Sequence, residues 1–152
     1  MKLAEALILR ADSQKRIEQL KERLALSAKV QEGEQPPENP NDLIRELERV
    51  SSELLGLIKK INRTNALAQL EEGATLSDAL ATRDAIMLKR GAYSNLANAA
   101  YVVQSRYSKS EVKFFSTVNV AEIQKRVDEL SREHRELDAR IQAANWSVDL
   151  IE

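Results

Sequence analysis

Leu43, Leu47, Val50, Leu54, Leu57, Ile61, Thr64 and Ala68 follow one another at alternating intervals of four and three residues. A helix returns side chains to one face at that spacing, and the narrow apolar stripe it makes is a coiled-coil-like seam. An isolated helix cannot bury such a seam, so partners must come from the same chain or from another copy. Near its end the seam meets Asn62, Arg63, Thr64 and Asn65. Polar groups at that place must either satisfy one another or meet a ligand.

The same periodicity predicts three further helices. The first runs from about Lys2 to Lys29, with Leu3, Ala6, Leu7, Ile17, Leu20 and Leu24 on one stripe interrupted by Arg10, Ser13 and Gln14. Pro36, Pro37 and Pro40, with Gly33 and three glutamates, make residues 31–41 a solvated connector. The second helix spans about Asn41 to Gln69 and stops before Gly73. Thr75, with Asp78 three residues on, caps a third helix from about Leu76 to Gln104, rich in small residues in its second half. Residues 105–118 alternate apolar and polar and read as an extended arm or short strand carrying both phenylalanines. Asn119 then caps a fourth helix, about Val120 to Ala144, whose seam is Ile123, Val127, Leu130, His134, Leu137, Ile141 and Ala144.

The expected fold is therefore all-α: four long helices in an antiparallel, coiled-coil-like bundle, forming one helical domain over residues 1–152. The 152 residues suit one domain, and with only 4% aromatic residues the core is thin, so self-association is expected. A net charge of -1 supplies no global field toward nucleic acid or an anionic membrane. The absence of cysteine excludes disulfides and thiolate chemistry. Met1 to Arg10 does not read as a signal peptide and no run approaches a membrane span, so the expected location is cytoplasmic, without a membrane partner.

Antiparallel pairing of consecutive helices sets Thr64 near Leu7 to Arg10, Asn62 near Arg83, and Arg83 level with Gln142. A single polar level follows, made of Arg10, Asp12, Asn62, Arg63, Asn65, Arg83, Asp84 and Asn145. One reading is an ion-pair network that fixes helix register and oligomer state. The other is a site for a small anion, because guanidinium groups grip carboxylate or phosphate bidentately. An enzyme using Arg63 and Arg83 as electrostatic clamps is the corresponding catalytic reading.

A second constellation, Arg106, Tyr107, Lys109 and Lys113, interleaves basic and aromatic residues as single-stranded nucleic-acid binders do. No RNA-binding or glycine-rich phosphate motif accompanies it, so nucleic acid is the less favoured partner. His134 sits in a helical seam between Leu130 and Leu137, and Ser131 stands where a di-iron Glu-x-x-His motif would need glutamate. No catalytic residue, metal site or cofactor is assigned.

The strings LILRADSQKRIEQLKERL, AKVQEGEQP, LIKKINRTNA, ATLSDALATRD, RYSKSEVKF and the closing NW resemble, over nearly the whole chain, a small bacterial family of uncharacterised proteins often labelled septicolysin. INRTN and RYSKSEVKF are the most specific of these. The resemblance implies an all-helical fold and no catalytic residues to transfer. The label implies a cytolysin, whereas the sequence shows neither an amphipathic membrane hairpin nor a Trp-rich insertion loop. The sequence alone favours a non-enzymatic, homo-oligomeric helical assembly or binding protein.

Overall fold

The structure, a computed structural model, describes residues 1–102 and 112–152. It is all-α: α1 (Leu3–Ser27), α2 (Pro40–Leu67), α3 (Leu76–Ala100) and α4 (Val120–Ser147), with a small two-stranded sheet of β1 (Gln69–Glu71) and β2 (Ala74–Thr75). The chain forms two compact units, residues 1–69 with 142–152, and residues 70–141.

In the first unit α1 and α2 form an antiparallel hairpin. Asn39 starts α2 by accepting the Asn41 N–H on Oδ1 at 3.0 Å, with Pro40 in the first helical position. That proline lacks an N–H the first turn could not have used, so it opens the helix where the sequence reading had placed it in the connector. Leu20, Leu43 and Val50 are buried together, with Ile17, Leu24 and Leu47 packed around them. The α2 seam thus meets the second half of the α1 stripe. Arg23 Nε donates to Glu38 at 2.8 Å and Arg16 Nε to Glu46 at 2.9 Å, flanking this core and fixing its register. At that offset Arg10 lies level with about Ser52, ten residues from the height that helix-end bookkeeping predicts. Thr64 falls beyond the start of α1.

α2 ends at Leu67 rather than near Gln69. Ala68 turns into extended geometry while its N–H still reaches Thr64 O at 2.8 Å. Gly73, at φ 80°, supplies the left-handed turn that lets β1 pair with β2. The sequence reading took Gly73 as a helix stop and missed this hairpin. Thr75 and Asp78 form the expected reciprocal cap of α3: Asp78 N–H donates to Thr75 Oγ1 at 3.2 Å and Thr75 N–H to Asp78 Oδ2 at 2.8 Å. Those donated bonds, backbone first, hold the Asp78 carboxyl below its ordinary value.

In the second unit α3 and α4 pack closely. The α3 seam is Leu76, Ala79, Arg83, Ile86, Arg90, Tyr93 and Ala97, all buried or half-buried. It meets Val127, Leu130 and Ile141 of α4, which are buried, with His134 and Leu137 half-buried among them. Asn119 caps α4 as expected, its Oδ1 accepting the Glu122 N–H at 3.2 Å. Helix α4 continues to Ser147, past the end near Ala144 expected from the sequence, and so includes Trp146. Of the arm, residues 105–111 lie outside the described residues. Residues 112–118 are not a strand; a turn closes them, with Ser116 Oγ donating to Val118 O at 2.6 Å.

Candidate functional site

Three places concentrate chemistry or unused apolar surface, each within one unit. The first is the polar end of α2. Thr64 is fully buried, and its hydroxyl donates to Lys60 O at 2.8 Å while accepting the Ile151 N–H at 2.9 Å. Next to it, Arg63 Nη1 donates to the backbone oxygen of Glu152 at 3.1 Å. The segment so held also lies against the start of α1. Leu3 N–H donates to Val148 O and Leu150 N–H to Met1 O, both at 2.9 Å. Lys2 Nζ bonds the Ser147 carbonyl at 2.9 Å and pairs with Asp149 at 2.9 Å. The lysine's hydrogen bond, reinforced by its charge, keeps the Asp149 carboxyl below its ordinary value. The polar break in the α2 seam is therefore a clasp for residues 148–152. Thr64 fits there because a β-branched residue with a hydroxyl fills a seam position while satisfying one backbone donor.

The second place is the α3–α4 seam. Arg83 Nη1 donates to Asp138 Oδ1 at 2.7 Å, and Arg90 Nε donates to Ser131 Oγ at 2.6 Å. Ser131 Oγ in turn donates to Val127 O at 2.9 Å. Both arginines occupy equivalent seam positions one heptad apart, and their acceptors are one heptad apart on α4. The result is two polar rungs of the same offset. They fix the antiparallel register of this pair about one helical turn from the height the sequence predicts. The missed signal is the matched seven-residue spacing of Arg83 to Arg90 and of Ser131 to Asp138.

The third is the outer face of α3. Ala81, Ala85, Leu88, Ala92, Leu96 and Ala99 recur at helical spacing and every one is exposed, Leu88 at 78%. At 100° per residue this row lies opposite the seam that meets α4. At its last turn, residues 96, 99–102 and 114–118 line an open groove of about 420 Å³. Phe114 and Phe115 flank it, 77% and 79% exposed. The arm that carries these phenylalanines thus leaves both outside the buried core of the described residues.

The predicted polar level distributes as follows. Arg10, Asp12, Asn62, Arg63, Asn65 and Asn145 belong to the first unit, Arg83 and Asp84 to the second. Asn145 is 8% exposed, Asn65 half-buried, and Asp12 and Asn62 exposed. Arg10 is half-buried, and its Nε is buried with no hydrogen-bond partner. Asp84 lies loosely beside Arg83 at 3.8 Å. Of the basic and aromatic set, Lys113 is exposed, while Arg106, Tyr107 and Lys109 lie outside the described residues. Among the described residues no group of three metal-ligating side chains converges, and no helix is long and apolar enough to cross a membrane.

A crystal structure of a functionally unknown conserved protein from Corynebacterium diphtheriae is similar, with 45% sequence identity, 99% of each chain covered and a TM-score of 0.93. No curated protein matches. A family model matches residues 10–150, and its description, like that of the crystal structure, does not carry the septicolysin label. The chain belongs to this family, described as a family of unknown function (DUF6847).

Proposed function

We propose that the protein is a non-enzymatic, self-associating helical assembly protein. One observation carries this reading: α3 is apolar on two opposite faces, and only one of them is covered by α4. A helix with a second apolar stripe calls for a second partner, and a six-residue exposed row of Ala and Leu is poorly suited to water. The exposed Phe114 and Phe115 beside the end of that row add a second unburied apolar surface. Thr64 and Arg63 hold residues 151 and 152, and Arg83 and Arg90 hold the register of α3 on α4, which favours a structural over a catalytic role for these four. Sedimentation velocity at micromolar concentration tests the reading. A multimer is expected, and a strict monomer would overturn it.

Arg10 favours a second, compatible role. Its buried Nε has no acceptor among the described residues, and a guanidinium group in that state suits a small oxyanion. Titration calorimetry with inorganic phosphate and sulfate tests this. Saturable binding lost in Arg10→Met supports the role, and the absence of heat in the unmutated protein removes it.

A further inference from the structure

We infer that the second copy docks on the outer face of α3 in parallel and in register, so that two α3 helices pair about a twofold axis running along them. The inference rests on the self-association proposed above and adds its geometry. Ala81, Ala85, Leu88, Ala92, Asn95 and Ala99 are spaced by four, three, four, three and four residues, the seam of a two-stranded coil. From Ala81 to Ala99 the seam is about 27 Å long. Its alanines let two backbones approach closely, with Leu88 facing Leu88 of the second copy near the middle.

Charge decides the direction. Asp84 and Lys89 flank the row on opposite sides and are five residues apart, and both are exposed. In a parallel, in-register pair, a flanking residue meets the opposite flank of the partner helix five residues further on. Asp84 then meets Lys89 of the second copy, and the twofold axis makes the same pair again. In an antiparallel pair like flanks oppose each other. Asp84 would face Gly91 or Asn98, and Lys89 would face Thr82, Leu96 or another Lys89, so no ion pair forms. Within one chain Lys89 has no partner among the described residues, and Asp84, its side chain 72% exposed, has only the loose contact with Arg83. Asn95, which takes the seam position beside Leu96 of the exposed row, is the one polar residue in this seam. Across a parallel axis it meets its own copy, where a side-chain amide can both donate and accept and so penalises any shifted register. The parallel direction also brings the two grooves flanked by Phe114 and Phe115 to the same end of the paired helices.

The chain contains no cysteine, so single cysteines report directly on this geometry. Ala85→Cys and Ala99→Cys, both at exposed positions, are oxidised separately under mild conditions and the product is sized without reductant. Each variant is expected to form a disulfide-linked dimer with itself. Asp84→Lys is expected to weaken association at least several-fold at low salt, and Asp84→Lys combined with Lys89→Asp to restore it, with helix content unchanged by circular dichroism in both. A dimer of unchanged affinity in Asp84→Lys, or one that crosslinks at neither cysteine, overturns the parallel mode while leaving self-association standing. A monomeric unmutated protein overturns both.

Discussion

The Thr64 hydroxyl accepts the backbone N–H of Ile151 at 2.9 Å from a fully buried position in the α2 seam. A residue that breaks an apolar heptad thus closes a clasp on a segment eighty-seven residues away in sequence.

Replacing Thr64 by Val keeps the shape and removes the acceptor, leaving the Ile151 N–H without its partner. A cost of about 1 kcal/mol is expected, the low end of the penalty for an unpaired donor, because this bond is part-buried. Thr64→Ser retains the hydroxyl and is expected to lose less. Denaturant melts of the three proteins check the order, and amide exchange at Ile151 is expected to accelerate in Thr64→Val before that of the Leu20 core.

The two rungs of the α3–α4 seam predict measurable coupling. Arg83→Met or Asp138→Asn alone strands a partly buried polar partner, while the double substitution removes both. A double-mutant cycle is expected to return a coupling of about 1 kcal/mol. The Arg83 and Asp138 side chains are 26% and 35% exposed, so solvent screening keeps the value near the low end of what a buried pair gives. Additive single losses would show that the rung contributes nothing specific.

Acid is expected to loosen the first unit. Hydrogen bonds from Arg23, Arg16 and Lys2 hold Glu38, Glu46 and Asp149 below their ordinary values. A carboxyl with a depressed folded pKa stabilises the fold above its unfolded pKa, and that contribution disappears as pH falls through the folded value. The melting temperature should stay flat from neutral pH to about pH 5 and fall below about pH 4. Asp149 is exposed and Glu38 and Glu46 are half-buried within reach of solvent, so added salt should shrink the drop. A melting temperature that rises on acidification through this range would contradict the assignment.

How far the sequence reaches is visible at particular residues. The four helices were legible because Leu and Ile spacing, the Thr75 and Asn119 caps and the prolines all point the same way. The β1–β2 hairpin was not, because Gly73 ends a helix and turns a hairpin with the same left-handed backbone. The clasp at Thr64 was legible only as an anomaly: the break in the heptad is local, but its partner lies eighty-seven residues away and pairs through backbone atoms that carry no sequence signal. Heights along the bundle fared differently in the two hairpins. Over the 31–41 connector, guessed helix ends displaced the first register by ten residues, whereas the second, pinned by two caps, was displaced by about one turn. The outer row of α3 was present in the sequence as an untidy excess of small apolar residues. It became a face only once Arg83 and Arg90 were known to turn toward α4.

The most direct test of the central claim is the mass in solution of the unmutated protein and of Leu88→Lys, compared by sedimentation equilibrium. Leu88 is 78% exposed and not among the buried core residues, so the substitution should leave the fold of each chain intact. Self-association through α3 predicts a multiple of 17.1 kDa for the unmutated chain and 17.1 kDa for Leu88→Lys, with equal helix content. Equal masses for the two proteins, whether monomeric or assembled, would contradict the account.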